Sequence, residues 1–264
     1  MSTLMRAPSS AGTDWWREGF DFSGRTAVVS GGAAGIGAAC ARLLAERGAQ
    51  VAVLDRDPGV AMRARALPGP GHLGVQVDLC QLPALRAAAN AALDGLGRID
   101  MLVNSAGVAL LGAAAALDEA DWDVTLDTNL KASFFLAQAV APAMRRQGRG
   151  RIVNLASQAS VVGLPRHAAY CASKAAVVGM TRVLALEWAA AGITVNAVSP
   201  TIVETELGKR AWAGSAGARA RRDIPLRRFA QPQEVAAAVL YLLSDGAAMV
   251  TGENLVIDGG YSIR

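Results

Sequence analysis

Short runs of apolar, often β-branched residues alternate with longer stretches rich in alanine and leucine from about residue 25 onward. Most of the short runs are continuously apolar, which is typical of strands covered on both faces of a sheet. They predict seven strands, at Thr26–Ser30, Val51–Asp55, Gly74–Val77, Ile99–Asn104, Ile152–Ala156, Thr194–Ser199 and Leu255–Asp258. The longer stretches predict helices at Gly35–Arg47, Leu82–Leu96, Asp121–Arg146, Ala168–Ala191 and Pro232–Ser244.

This alternation of strands and helices requires crossover connections, which are right-handed and join parallel strands. We therefore expect a single Rossmann-type, doubly wound α/β domain, with a seven-stranded parallel sheet flanked by helices. We assign residues 1–23 to an N-terminal arm with a docking point at Trp15 and Trp16, and residues 24–264 to the catalytic domain. The stretch 201–229 has glycines and no clear strand, and is interpreted as a flap over the substrate.

Composition favours a globular protein over a disordered one. Hydrophobic residues make up 52% of the 264 residues and charged residues 18%, which allows a large core. The formal charge is +4 and the arginines are scattered, so nucleic-acid binding is not indicated. We find no apolar run of membrane-spanning length and no secretory signal. Three cysteines without C-x-x-C spacing and two histidines indicate reduced thiols in the cytoplasm and no metal site.

A glycine-rich turn follows the first predicted strand and opens the first predicted helix. Gly31, Gly35, Ile36 and Gly37 give it the spacing G-x-x-x-G-x-G, which differs from the more usual G-x-G-x-x-G. Glycines let the backbone approach a pyrophosphate closely, and the helix N-terminus offers free N–H groups to the anion. The context of strand before and helix after favours a dinucleotide site over a simple turn.

The second predicted strand ends at Asp55, eighteen residues after Gly37. A carboxylate there can accept hydrogen bonds from both hydroxyls of an adenosine ribose and would repel a 2′-phosphate, so NAD is favoured over NADP. Arg56 directly follows, and a guanidinium at this position leaves NADP open as the alternative.

Tyr170 and Lys174 are four residues apart on a predicted helix, so their side chains emerge on one face. An ammonium near a phenol is expected to lower the pKa of the phenol and make it an acid–base catalyst. Ser157 ends the fifth predicted strand, where its hydroxyl can hydrogen-bond a developing oxyanion. Together these residues indicate proton transfer to or from a substrate oxygen.

From about Gly24 to Tyr261 the chain resembles the classical short-chain dehydrogenases/reductases, and among them the polyol dehydrogenases. Two residues depart from the usual family pattern, Ser105 in place of asparagine and Thr201 in place of glycine after Pro200. The residues that carry the resemblance are Ser30–Gly37, Asp78, Asn104–Gly107, Asn129, Ser157, Tyr170–Lys174, Ser199-Pro200 and Asp258–Gly260.

The resemblance implies further site residues. Asn129 would hold a water near Lys174 and complete a proton relay, and Asp78 and Leu79 would contact adenine. Residues bordering the cofactor would be Asn104, Ala106, Gly107 and Pro200, with Val203 and Thr205 at the nicotinamide carboxamide. The resemblance also implies a homotetramer, with a dimer as the next choice. The predicted helix Ala168–Ala191 is apolar on nearly all sides, which agrees with a subunit interface.

The leading hypothesis is therefore an NAD-dependent enzyme that oxidises a secondary alcohol to a ketone, on a small sugar alcohol such as a tetritol or pentitol. Gln158, His167 and Glu204 are the polar candidates for its substrate pocket. Two alternatives stay open. One is an NADPH-dependent ketone or 3-oxoacyl reductase, and the other is a non-catalytic NAD-binding regulator on the same fold.

Overall fold

A computed structural model describes residues 19–206, 208, 212 and 214–264. Its seven strands form one sheet of order β3-β2-β1-β4-β5-β6-β7, in which every neighbouring pair is parallel. The strands are β1 Thr26–Ser30, β2 Gln50–Asp55, β3 Leu73–Gln76, β4 Met101–Asn104, β5 Gly150–Leu155, β6 Ile193–Pro200 and β7 Asn254–Ile257. The predicted doubly wound parallel sheet is confirmed. The strand order reverses between β1 and β4, and ligands of such sheets bind at the carboxyl ends of the strands beside this reversal.

Eight α-helices connect and flank the strands in the described part of the chain. They are α1 Gly35–Glu46, α2 Val60–Arg65, α3 Leu82–Leu96, α4 Glu119–Leu126, α5 Ala132–Gln147, α6 Ala168–Trp188, α7 Gly214–Asp223 and α8 Pro232–Leu243. The predicted continuous helix Asp121–Arg146 is wrong, because a π-helical turn at Asp127–Lys131 separates α4 from α5. Sequence reasoning also missed α2, and it missed α7 within the predicted flap.

The core lies on both faces of the sheet. Helices α1 and α8 cover one face, and α3, α5 and α6 cover the other. Val28 and Val29 are consecutive in β1, point to opposite faces and are both fully buried. Burial of each such side chain stabilises the folded state by about 1.5–3 kcal/mol relative to an exposed position. Because both faces of the sheet are covered, the sequences of the strands are continuous apolar runs.

One helical stretch in the described residues, Ala168–Ala191, is long and apolar enough to cross a membrane by length and composition alone. The expectation that no apolar run reaches that length is therefore wrong. The same stretch contains α6, which packs against β6, and 44% of its most apolar window is buried inside the protein. This burial is typical of a core helix.

The proposed docking point at Trp15 and Trp16 lies outside the described residues, as does most of the arm to which we assigned it. Within the described end of that arm, Phe22 is fully buried and its N–H donates to the carbonyl of Arg47. Positions 207, 209–211 and 213 of the predicted flap are also outside the described residues. The division into arm, domain and flap stays a prediction.

Candidate active site

The glycine turn between β1 and α1 is built on close backbone approaches. Gly31 has φ +63°, and a Cβ placed on it would lie 2.7 Å from the Cα of Ala106. A Cβ on Gly37 would lie 2.2 Å from the carbonyl oxygen of Gly31. Helix α1 begins at Gly35, and Ala34 before it offers no side-chain cap to the first-turn N–H groups. The first-turn N–H groups of α1 thus have no side-chain cap, and the turn before them consists of small glycine and alanine residues. This arrangement fits a pyrophosphate.

Asp55 is the last residue of β2 and lies beside this turn. Its Oδ2 accepts a hydrogen bond from the N–H of Ala33 at 3.0 Å, and its Oδ1 accepts one from the N–H of Asp57 at 3.0 Å. These bonds fix the orientation of a partly exposed carboxylate at the predicted ribose position, next to the exposed Arg56. Each carboxylate oxygen keeps a lone pair for a ligand hydroxyl.

The loop after β4 is held against the glycine turn. The hydroxyl of Ser30 accepts hydrogen bonds from the N–H groups of Ser105 at 3.1 Å and Ala106 at 3.3 Å. Ser105, which departs from the usual family pattern, makes this contact through its backbone N–H. Its side chain is therefore not needed for the contact. The loop therefore borders the turn in which Gly31 contacts Ala106.

Asn104, at the end of β4, anchors a buried chain of polar side chains. Its Nδ2 donates to Asn154 Oδ1 at 2.8 Å and to the carbonyl of Ser133 at 3.1 Å. Asn154 donates in turn to the hydroxyl of Thr181 at 2.9 Å. This chain ties β4 and β5 to helix α6. A buried network of this kind holds its members in one arrangement.

Ser157, Tyr170 and Lys174 lie together beyond the carboxyl end of β5. Tyr170 lies in the first turn of α6, and the Nζ of Lys174 lies 5.8 Å from the centroid of its ring. Lys174 is 5% exposed and donates to the carbonyl of Leu155 at 2.7 Å. Ser157 is also buried, and its hydroxyl acts to lower the pKa of Tyr170.

Burial determines the protonation of this group. It raises the pKa of Tyr170, and the hydrogen bond from Ser157 only partly opposes that rise. Burial also lowers the pKa of Lys174 to about 8. The expectation of a lowered phenol pKa is therefore wrong for the protein without ligands. Removal of both groups from water outweighs their attraction, because the ammonium is directed to a carbonyl rather than to the phenol oxygen.

Asn129 lies in the π-helical turn and is almost fully buried. Its side chain bonds both backbone groups of Val108, at 2.8 and 3.0 Å, and donates to the hydroxyl of Ser173 at 3.0 Å. A Cβ on Gly107 would lie 3.1 Å from Asn129 Oδ1 and 3.5 Å from Lys174 Nζ. Asn129 and Lys174 therefore both lie close to Gly107, where a Cβ would fit tightly against Asn129. π-Turns of this kind are frequent at functional sites.

The predicted nicotinamide-side residues follow β6. Pro200 ends the strand, and Val203 is buried and forms a bridge to Ala230. Thr205 accepts a hydrogen bond from the N–H of Gly208 at 3.0 Å, and its methyl group would lie 3.2 Å from a Cβ on Gly35. The start of the predicted flap thus contacts the glycine turn.

The predicted adenine-side residues lie after β3. Asp78 is exposed and accepts a hydrogen bond from the N–H of Cys80 at 3.0 Å, while Leu79 is buried in the core. Ile36 of the glycine turn is partly buried against the core.

The three substrate-pocket candidates differ in their surroundings. Gln158 follows Ser157 and is 4% exposed, and its Oε1 has no hydrogen-bond partner. The ring of His167 lies 6.1 Å from that of Tyr170, and its Nδ1 bonds the carbonyl of Pro165 at 2.7 Å. Glu204 accepts a hydrogen bond from Gln231 at the start of α8 at 3.0 Å.

Sequence reasoning missed the groups that hold the site in place. The carbonyl of Leu155 and the hydroxyl of Ser173 position Lys174 and Asn129, and Ser30 positions the loop after β4. Ser173 and Ser30 carried a clue, because they lie inside the motifs Tyr170–Lys174 and Ser30–Gly37. In the described part of the chain no group of three or more metal-ligating side chains occurs.

Comparison with known proteins identifies the family. A family profile of short-chain dehydrogenases, described as enoyl-(acyl carrier protein) reductase, matches residues 31–262. The chain belongs to the short-chain dehydrogenase/reductase family. This membership makes it an oxidoreductase.

Relatives within the family cover nearly the whole chain. An NAD-dependent glycerol dehydrogenase from Listeria innocua is 49% identical over 245 residues, which are 93% of this chain and 96% of that protein. A D-threitol dehydrogenase from Mycolicibacterium smegmatis is 49% identical over 250 residues, with the same shares of the two chains. A protein from Beutenbergia cavernae, described as an NAD(P)-dependent gluconate 5-dehydrogenase and solved with NADP at low occupancy, has TM-score 0.87 at 37% identity, covering 93% of this chain and 99% of its own.

Proposed function

We propose that this short-chain dehydrogenase uses NAD to oxidise a secondary alcohol of a small sugar alcohol to a ketone. The observation that carries the proposal is the grouping of Ser157, Tyr170 and Lys174 at the carboxyl edge of the sheet, where the glycine turn also lies. Similarity to dehydrogenases named for glycerol and D-threitol supports a short polyol as substrate.

Tyr170, in its phenolate form, removes the proton of the substrate hydroxyl. Acceptance of the hydride from the same carbon is the chemistry that NAD would supply, so the alcohol would become a ketone and the proton would stay on the tyrosine. Ser157 donates a hydrogen bond to the substrate oxygen while its charge changes. Such a positioned base contributes about 10²–10⁴-fold to the rate. In the reverse direction Tyr170 donates the proton to a ketone.

Lys174 provides a positive charge near the phenol, with its Nζ 5.8 Å from the centroid of the ring. Its pKa of about 8 lets the ammonium lose and regain a proton near neutral pH. Asn129 and Lys174 both lie close to Gly107, and Asn129 would hold a water that links the lysine to solvent. The bonds of Asn129 to Val108 and Ser173 fix it for this role.

The cofactor site extends across the carboxyl ends of β1 to β6. The glycine turn would hold the pyrophosphate, Asp55 the adenosine ribose, and Asp78 and Leu79 the adenine. The carboxylate of Asp55 disfavours the 2′-phosphate of NADP by repulsion. The remaining contacts are Gly31, Gly35, Ile36, Gly37, Asn104, Ala106, Gly107, Tyr170, Lys174, Pro200, Val203 and Thr205.

Gln158 selects a substrate with more than one hydroxyl. A buried amide oxygen without a partner costs about 1–3 kcal/mol, and a second hydroxyl of the substrate can recover that cost by donating to it. An alcohol with only one hydroxyl group leaves the oxygen unpaired. This contrast favours polyols over apolar alcohols.

A spectrophotometric panel tests the function. Glycerol, tetritols, pentitols, hexitols and bulky apolar alcohols are compared with NAD and with NADP. We expect NAD-dependent turnover of short polyols, and in Gln158→Met a rise of about tenfold or more in KM for polyols. Turnover of 3-oxoacyl substrates with NADPH in place of polyols would support the reductase alternative. Cofactor binding with no turnover of any substrate would support a regulator.

We also propose that the protein is a cytoplasmic homotetramer. Helix α6 leaves Leu186 83% exposed and Val183 52% exposed, so an apolar strip faces outward. Exposed apolar strips of this kind mark subunit contacts. The described cysteines Cys40, Cys80 and Cys171 are all free thiols, which agrees with a reducing compartment.

A further inference from the structure

We propose that a second ligand site, for a phosphate group, lies at the amino-terminal edge of the sheet. There an arginine cluster, formed by Arg25, Arg149 and Arg151, surrounds Asp245. Arg25 directly precedes β1, Arg149 and Arg151 flank the first residue of β5, and Asp245 follows α8. The strands are parallel, so this edge is opposite the carboxyl ends that carry Tyr170. The site is separate from the proposed active site.

The carboxylate of Asp245 lies near three guanidinium groups. Arg25 Nη2 lies 2.7 Å from Asp245 Oδ2, and Arg149 Nη2 donates to Asp245 Oδ1. Arg151 Nη2 lies 3.8 Å from the same Oδ1, beyond hydrogen-bond distance. Three positive charges and one negative charge leave the cluster with two uncompensated positive charges.

Arg151 is the least satisfied member. Its side chain is only 9% exposed, and its Nε has no hydrogen-bond partner. Burial, together with the positive charges of Arg149 and Arg25, lowers the pKa of Arg151 to about 10, although Asp245 opposes this. A buried guanidinium in this state is stabilised by any additional anion nearby.

Other acidic groups near this edge in the described chain are already engaged. Asp100 pairs with Arg98 at 2.5 Å and accepts from the N–H of Thr26. The exposed Asp21 accepts hydrogen bonds from the backbone and hydroxyl of Ser23 at 2.9 and 2.6 Å. Neither hydrogen-bonds a member of the arginine cluster, although the charge of Asp21 interacts with that of Arg25.

The cluster opens to solvent and matches the chemistry of phosphate. The side chain of Arg149 is 33% exposed and that of Asp245 40% exposed, so a small anion can approach them. A phosphate dianion carries the charge that the cluster lacks, and its oxygens can bind several guanidinium groups at once. Inorganic phosphate and the phosphate ester of a small metabolite share this chemistry.

Calorimetry with inorganic phosphate and with glycerol phosphate tests the site in the full chain with saturating NAD present. Chloride at equal ionic strength is the control for screening. Arg149→Gln removes the most exposed guanidinium and should weaken phosphate binding about tenfold or more. Asp245→Asn removes the internal carboxylate and should tighten binding about tenfold. Arg42→Gln, on the distant surface of α1, should match the wild type.

Opposite changes in the two cluster variants support the site, and preference for the ester over the free ion identifies the source of the phosphate. Equal affinity in wild type and Arg149→Gln overturns the proposal, as does a response to phosphate no larger than that to chloride. If Asp245→Asn does not fold, the comparison of Arg149→Gln with Arg42→Gln decides the question alone.

Discussion

Replacing Lys174 by methionine should change how the stability of the cofactor-free protein depends on pH. Burial lowers the pKa of Lys174 from 10.5 to about 8, a difference that corresponds to about 3 kcal/mol. Between these two values the unfolded chain binds the proton and the folded chain does not, so the free energy of unfolding rises with pH. About 2 kcal/mol of this rise falls between about pH 7 and about pH 9.5.

Urea unfolding at fixed protein concentration measures this contribution. We expect the free energy of unfolding of wild type, relative to Lys174→Met, to increase by about 2 kcal/mol over that pH interval. Tyr170 is present in both proteins, so its own titration cancels in the difference. Lys131→Met is the matched control, because it removes a lysine whose side chain is 44% exposed on the surface. Parallel pH curves for wild type and Lys174→Met would refute the reasoning.

Two further substitutions test the cofactor turn and the assembly. Gly37→Ala places a Cβ 2.2 Å from the carbonyl of Gly31 and should weaken NAD binding about tenfold or more by calorimetry, whereas Gly163→Ala enters open space and should bind NAD like the wild type. Equal binding by both variants would contradict the close-approach argument. Leu186→Glu should reduce the tetramer to smaller species by light scattering, and Met62→Glu, 71% exposed on α2, should not. An unchanged mass for Leu186→Glu would contradict the assigned interface.

The sheet could be predicted because its strands are continuous apolar runs separated by helices of ordinary length. The π-helical turn could not, since nothing in the periodicity of Asp121–Arg146 marks one extra residue. It forms around Asn129, whose contacts with Val108 and Ser173 exist only after the fold brings β4 and α6 together. Helix α2 has only six residues, too few for a periodic pattern.

The residues of the candidate site could also be predicted from their spacing in the sequence, but their pKa values could not. The four-residue step places Tyr170 and Lys174 on one face of α6, yet the acceptor of the ammonium is the carbonyl of Leu155 on β5. Loss of water raises the pKa of the phenol, opposite to the expected direction. Likewise, a cluster such as that around Asp245 joins residues 220 positions apart in sequence.

The most direct test of the account compares Tyr170→Phe with the wild type in two measurements on the same preparations. NAD binding by calorimetry should stay within about threefold, because the ring remains in place. Turnover of the best polyol with NAD should fall by about 10²–10⁴-fold, because the substitution removes the phenol oxygen that accepts the hydroxyl proton. Turnover retained at the wild-type rate, with NAD bound normally, would contradict the assignment of Tyr170 as the catalytic acid–base.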